Sequence, residues 1–346
     1  MSPLAPPDLV PVIDISGFVA GTDLETAPRL IREAATTTGF FQVVGHGIDP
    51  AHFDAAYAVA EVLMALPEEV KATLGSPSGH PYRGLMRNYD KQGALVSEGF
   101  TIARFDGPDD ARAHGVPEEY LGFFVENVWP PVEGFADAMG ELARHTRGVG
   151  RQLMSAFALA LDLPADHFDE GLVLDTTTST IRSYPPHRDA SRTGESVVFD
   201  SHFDGGMLTL LHQRGTYDGL QILAQDGEWY TVPTDDAAFV INIGELMHRW
   251  TNGRWPATRH RVVSASDPDG HRFTLPTFYR ASVDTVVAPL ETQIGPEGAL
   301  FEPVTVLSWE GRHILSSFRE REHTSAHPAS EAYVARLEAA VGASRA

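Results

Sequence analysis

Cysteine is absent from this 346-residue chain, which removes disulfides, thiolate zinc sites, Fe–S clusters and cysteine nucleophiles together. Any metal must be held by nitrogen and oxygen. Lysine is almost absent too: of 26 basic residues only Lys71 and Lys91 are lysines, and 47 acidic residues bring the formal net charge to −21. So acidic a surface argues against sequence-independent binding to nucleic acid or anionic membrane, both of which need clustered positive charge. Local arginines can still receive an anionic small molecule. No apolar run approaches the roughly 18 residues that cross a bilayer, and residues 1–8 have neither a basic n-region nor an apolar h-region, so a soluble, cytoplasmic protein is expected. There is no P-loop, no G-x-G-x-x-G after a strand, no G-x-S-x-G elbow and no internal repeat.

At 42% hydrophobic and 21% charged the chain is of globular composition, long enough for one large domain or two smaller ones. Val10–Ile15 reads as a strand, and Glu25–Thr37 as a helix with Leu30, Ile31 and Ala34 at helical spacing and Gly39 as its C-cap. Phe40–Val44 is a second strand, stopped by Gly45-His46-Gly47, and a helix runs from about Pro50 to Ala65. His46, between two glycines in a tight turn, reads as structural. Residues 76 to 130 lack periodicity and are rich in glycine, proline and arginine, so they read as loops. Tyr82, Arg83 and Arg87 are the substrate-site candidates there, with solvated surface as the plainer reading. A long helix, about Val132 to Leu161, carries a core-packing stripe of Phe135, Met139, Leu142 and Ala143.

From Thr177 the texture changes to short β runs: 179–184, 202–213, 220–223, 229–232, 238–243, 260–264 and 272–279. Turn markers such as Asp226-Gly227 and Asn252-Gly253 separate them. Such spacing predicts a sandwich or barrel, with a jelly roll the natural option. Ser330–Val341 has helical character and would pack outside or cover an opening.

Four His-x-Asp pairs occur. His52/Asp54 and His167/Asp169 follow helix-start signals, and on a helix residues two apart diverge by about 200°. His187/Asp189 lies in a loop. Only His202 and Asp204 run into a strand pattern, Met207 to Leu211, where residues i and i+2 share a face. A third ligand should come from another strand. His212 is too far, on the order of 26 Å along a strand from Asp204; His248 remains possible, and His260, opening the β run His260-Arg261-Val262-Val263, is better placed. Two histidines and one carboxylate with open positions form the facial triad of non-haem Fe(II) oxygenases.

Ile13-Asp14-Ile15-Ser16, Gly39-Phe40-Phe41-Gln42-Val43-Val44-Gly45-His46-Gly47-Ile48, His202-Phe203-Asp204, Gly219-Leu220-Gln221-Ile222, Asn242-Ile243-Gly244, Trp250-Thr251-Asn252-Gly253, His260-Arg261-Val262 and Arg272-Phe273-Thr274 stand in the order and approximate spacing of the isopenicillin N synthase-like Fe(II)/2-oxoglutarate dioxygenases. Over about residues 8 to 285 the chain resembles that family. The resemblance implies that His202, Asp204 and His260 bind Fe(II), and that Arg272 and Thr274 hold the distal carboxylate of 2-oxoglutarate. A guanidinium and a hydroxyl at i and i+2 suit that task, since a guanidinium offers a carboxylate fork geometry. If the strands carrying His260 and Arg272 are paired, a three-residue Pro268-Asp269-Gly270 loop gives the register that points both residues inward. Thr274 replaces the usual serine, and Arg182-Ser183-Tyr184 replaces the usual Asn-x-Tyr. Tyr184 would reach the co-substrate or substrate; Arg182 would bind an acidic substrate or form a structural ion pair. Phe278 is a further substrate candidate, and Arg280 and the tail from about Phe301 to Arg321 are candidates to line the pocket, with packing or surface the equally plain reading.

The expected fold is therefore mixed α+β: a double-stranded β-helix (jelly-roll) core over 176–290, an N-terminal α/β and helical region over 1–175, and a C-terminal extension over 291–346. The function implied is Fe(II)-, 2-oxoglutarate- and O2-dependent oxidation of a small organic substrate, in specialised metabolism, with release of succinate and CO2. Rival readings are a 2-oxoglutarate-independent iron oxidase of the isopenicillin N synthase type and a non-enzymatic ligand-binding jelly roll.

Overall fold

The computed structural model describes residues 2–90, 93–185, 196–264, 270–322 and 328–344. Val12–Asp14 (β1) pairs in parallel with Phe40–Val44 (β2), and the crossover such a pair requires contains the helix Thr26–Thr37 (α1). Gly39 ends that helix at φ 69°, its amide bonded to the Ala34 carbonyl at 3.1 Å. A Cβ there would stand 2.4 Å from the Pro256 carbonyl oxygen, so both backbone and space demand glycine. The helix Pro50–Met64 (α2) starts with Asp49 capping the Ala51 amide at 2.9 Å and Pro50 in its first turn. His46 is structural, its Nδ1 accepting from the Ile48 amide and its ring packed on Phe53 and Phe239.

Residues 76–130 depart from the loop expectation, because Gly84–Tyr89 (β3) and Leu95–Ala103 (β4) form an antiparallel pair. Both faces of β4 are buried, and Ser97, Glu98 and Thr101 are among the buried residues, which erases the period-two signal. Glu98 is held inside by Lys71 at 2.9 Å and Arg87 at 2.8 Å. The long helix follows as Phe135–Ala160 (α3).

Next come Thr178–Tyr184 (β5), Val197–His202 (β6), Leu208–Gly215 (β7), Leu220–Leu223 (β8), Trp229–Thr231 (β9), Phe239–Ile243 (β10), the short helix Glu245–Trp250 (α4), His260–Val263 (β11) and Arg272–Tyr279 (β12). Two differences from expectation matter. The strand read as 202–213 is two strands in two sheets, with residues 203–207 crossing between them. And β11 does not pair with β12: β11 lies between β6 and β8, while β12 lies between β7 and β5. The hairpin register expected for His260 and Arg272 therefore does not exist; the two residues sit in opposite sheets. The Pro268-Asp269 turn, like His187-Arg188-Asp189, lies outside the described residues.

The result is an eight-stranded sheet, β1-β2-β10-β7-β12-β5-β4-β3, facing a four-stranded one, β6-β11-β8-β9. Four strands of the large sheet precede residue 176 and four follow it. On β12, Leu275 and Tyr279 join the main core with α3, whereas Arg272, Thr274, Pro276 and Phe278 line a cavity between the sheets, as the period-two alternation of a strand requires. Val306–Glu322 (α5), which was not anticipated, and Pro328–Ala343 (α6), which was, pack together through Leu307, Ile314, Tyr333 and Leu337 against Phe123. Glu310, His313 and Ile314 of α5 reach the cavity. No helix among the described residues is long and apolar enough to cross a membrane.

Candidate active site

β6 ends at His202 and β11 begins at His260, and these two residues are register partners. Asp204 lies two residues beyond His202, in the crossing to the other sheet. Its backbone is fixed by α4: the Glu245 amide donates to the Asp204 carbonyl at 2.8 Å and the Leu246 amide to that of Gly206 at 3.0 Å. Gly244 permits this approach, since a Cβ on it would fall 2.1 Å from the Gly206 oxygen. From outside, Trp309 on α5 donates its indole N–H to the Gly205 carbonyl at 2.9 Å.

The side chains converge. Nε2 of His202 is 3.6 Å, and Nε2 of His260 3.7 Å, from Asp204 Oδ1, and one donor atom from each of the three lies within 4.8 Å of the others. Nδ1 of His202 donates to the Asp200 carbonyl at 2.7 Å and Nδ1 of His260 to that of Thr258 at 3.2 Å. Those bonds select the tautomer whose Nε2 lone pair faces the centre. The other oxygen of Asp204 is held by Thr209 Oγ1 at 2.5 Å and Asn242 Nδ2 at 2.8 Å, leaving Oδ1 for the centre. Burial would raise the Asp204 pKa, but the facing imidazoles and these two hydrogen bonds outweigh it and hold the carboxyl below its ordinary range. Burial, with the adjacent His260, pushes His202 below its ordinary value despite the pull of Asp204. An ionised carboxylate and an unprotonated imidazole are the forms that ligate a metal.

The triad opens into a cavity of about 1000 Å³. At its inner wall lies Arg272, 1% exposed, its Nη2 donating to Gln213 Oε1 and its guanidinium over the Tyr184 ring at 5.0 Å. Arg272 Nε and Nη1 and Gln213 Nε2 are buried without a partner. All three are donors, so the group that would satisfy them is an acceptor with several lone pairs. Thr274 and Tyr184 line the same cavity. The arrangement suits a divalent cation beside a bound carboxylate.

Of the substrate-site candidates, Tyr82, Arg83, Arg182 and Phe278 line this cavity. Arg87 is not brought there: on β3 its neighbours Met86 and Asn88 line the cavity, while Arg87 turns the other way and binds Glu68 and Glu98, each at 2.8 Å. His248 is drawn off to the Trp255 carbonyl at 2.7 Å, and His212 is buried between Tyr57 and the Asp236 carbonyl. Sequence reasoning did not identify Thr209 or Gln213, and it reached Glu310 and His313 only as part of the stretch from about 301 to 321. A threonine or glutamine inside an otherwise apolar strand was the available signal for the first two.

Comparison with known proteins agrees with this geometry. Residues 173–281 match the 2OG-Fe(II) oxygenase superfamily and residues 10–131 the N-terminal region of the non-haem dioxygenases in morphine synthesis. The chain is 30% identical over 298 residues to the 2-oxoglutarate-dependent dioxygenase citB of Monascus ruber, covering 82% of this chain and 88% of that one. It is 28% identical to the Validamycin A dioxygenase of Streptomyces hygroscopicus subsp. limoneus, covering 83% and 80%. The crystal structure of a full-length Neurospora crassa protein in complex with alpha-KG superposes with a TM-score of 0.76 at 21% identity, covering 91% of this chain and 99% of that one.

Proposed function

The chain belongs to the 2OG-Fe(II) oxygenase superfamily, and from that premise we propose that His202, Asp204 and His260 hold its iron and that Arg272, with Thr274 and Tyr184, receives the far carboxylate of 2-oxoglutarate. The protein is a 2-oxoglutarate-dependent dioxygenase, an oxidoreductase that uses Fe(II), 2-oxoglutarate and O2 on a small-molecule substrate. The observation that carries the residue assignment is the presence, in one cavity, of a nitrogen–nitrogen–oxygen donor set and a buried guanidinium, Arg272, with two nitrogens without an acceptor.

When bound, Fe(II) supplies O2 activation coupled to decarboxylation of 2-oxoglutarate to succinate and CO2, and oxidation of a substrate C–H bond. The chain's own part is placement and exclusion of water. Asp200 and Thr258 carbonyls aim the two imidazoles; Thr209 and Asn242 aim the carboxylate. Arg272, held by Gln213, fixes the co-substrate end farthest from the triad, and Phe199, Phe203 and Phe278 give the remaining cavity apolar walls. The isopenicillin N synthase-like subgroup, supported by the N-terminal motifs, and a place in specialised metabolism, supported by the relatives named above, are part of the same proposal, as is a cytoplasmic location.

Succinate release measured against O2 uptake tests the reading. Formation in step supports it, whereas O2 uptake without succinate would return the protein to the 2-oxoglutarate-independent oxidase. Fe(II) titration of wild type, His202→Ala and Asp204→Ala tests the ligand set; equal affinity in all three would remove it.

A further inference from the structure

Among the described residues, two cavity arginines, Arg182 and Arg272, have neither a carboxylate nor a backbone carbonyl as partner to the guanidinium, and Arg272 is the one assigned above to the co-substrate. Arg280 is paired with Glu310 at 3.1 Å, Arg83 donates to the Tyr82 carbonyl at 2.8 Å, and Arg272 has Gln213. Arg182 makes a single long hydrogen bond, 3.4 Å to Ser97 Oγ, and lies over the Phe199 ring at 4.9 Å. Of the two roles its sequence position allowed, the structural ion pair is therefore not the one found among those residues. The acid nearest along its own sheet, Glu98, is occupied by Lys71 and Arg87.

Its position is next to the chemistry. Phe199, under the guanidinium, is in edge contact with the His202 ring at 4.8 Å. Arg182 is register partner of Thr274 on one side and of Gly99 on the other, so it stands one strand over from the Arg272–Thr274 row, towards β4 and β3. That is the side on which Arg83, Met86 and Asn88 line the cavity. The co-substrate's two ends are already provided for, one by the triad and one by Arg272. A half-buried cation with only a ring face and one weak hydrogen bond is under-compensated, and it becomes fully paired when a planar anion enters its fork.

We propose that the substrate carries a carboxylate and that Arg182 binds it, fixing which C–H bond lies beside the triad. The inference rests on the dioxygenase reading above. A carboxylate fits better than a phosphate because a single guanidinium offers two parallel donors to two oxygens, with Ser97 and aromatic walls beside it, while Arg83 and Arg280 of the same cavity are already bonded to the Tyr82 carbonyl and Glu310.

The test uses the full chain loaded with Mn(II) in place of Fe(II), so that binding is read without turnover. Calorimetry first compares 2-oxoglutarate affinity in wild type, Arg182→Gln, Arg182→Lys and Arg272→Gln. It then compares two acid–amide pairs in the presence of saturating 2-oxoglutarate: benzoate against benzamide, and hydrocinnamate against hydrocinnamamide. The expected result is an acid preference of about tenfold or more in wild type, lost in Arg182→Gln and partly kept in Arg182→Lys, with 2-oxoglutarate affinity in Arg182→Gln close to wild type. That last measurement also shows the variant to be folded. A loss of 2-oxoglutarate affinity in Arg182→Gln as large as in Arg272→Gln would assign the guanidinium to the co-substrate and overturn the proposal. So would the absence of an acid preference in wild type, or its persistence in Arg182→Gln. Wild type that binds no 2-oxoglutarate would overturn the functional reading itself, and this proposal with it.

Discussion

Replacing Arg272 by methionine should push two measurable quantities apart. The guanidinium is buried, and two of its nitrogens, with the amide nitrogen of Gln213, have no hydrogen-bond partner among the described residues. Methionine keeps much of the stem volume and removes a charge whose desolvation is poorly offset, a change that is often neutral or stabilising by about 1–4 kcal/mol. Against this, Gln213 Oε1 loses its donor, at roughly 1–3 kcal/mol. The ligand-free protein should therefore unfold in urea within about 1–2 kcal/mol of wild type. Binding should respond differently. Two charge-assisted hydrogen bonds to a carboxylate, each contributing about 1.5–3 kcal/mol, sum to about 3–6 kcal/mol, or roughly two to four decades in Kd for 2-oxoglutarate. Calorimetry on the Mn(II)-loaded protein reads the second quantity. Arg272→Lys should recover only part of it, because an ammonium lacks the fork. A Kd within tenfold of wild type would refute the assignment, and so would a stability loss of several kcal/mol with affinity unchanged, which would make Arg272 a structural residue.

Thr209→Val removes the 2.5 Å hydrogen bond that aims Asp204; metal affinity, read by competition with a chelator, should fall about 10–100-fold while the fold persists. Lys71→Met breaks a buried pair of 6% and 8% exposed side chains; the loss of stability in urea should be about 2–3 kcal/mol, below the roughly 3–5 of a wholly unpaired charge because Arg87 still holds the other Glu98 oxygen. His212, buried between Tyr57 and the Asp236 carbonyl, is pushed down to about 4, chiefly by burial. The unfolded chain then takes up a proton near pH 6.5 that the folded one refuses until about 4, so stability should fall by about 2 kcal/mol between pH 7 and 5. His212→Asn should lack that component of the pH dependence; an unchanged slope would mean the ring is not the group responsible.

The sequence made the triad legible because its cues are local and chemical. His260 opens a strand, as read, and His202 ends another, but Asp204 stands in the crossing 203–207 and not on the strand pattern that singled the pair out. Several turns were legible for the same reason, as at Gly39, where a positive φ leaves one residue type. What failed was pairing between distant segments. An apolar run from Met207 to Leu211 does not reveal that the chain changes sheet just before it, nor could periodicity show that β11 and β12, neighbours in sequence, lie in opposite sheets. The β3–β4 hairpin escaped because its charges are buried and mutually satisfied, so composition imitated a loop. Arg87 was misplaced with it: in a loop it had no defined face, and on a strand it faces away from the cavity.

That change of sheet at His202 is also what makes the site. Were residues 202–211 one straight strand, Asp204 would lie in the small sheet, beyond reach of Thr209 on β7 and Asn242 on β10, which belong to the large one. Because the chain crosses at residues 203–207, Asp204 stands between the sheets, with Oδ1 toward the two histidines of the small sheet and Oδ2 toward donors of the large one. A cation held by the triad is thus linked to both sheets through one carboxylate. The distance between the sheets and the direction of the ligands are set by the same few contacts, including the Gly244–Gly206 approach and the Trp309 bond from α5. It follows that residues outside the cavity, such as Gly244, set the geometry of the proposed metal site, since a side chain at position 244 would have to displace the backbone around Gly206 and Asp204.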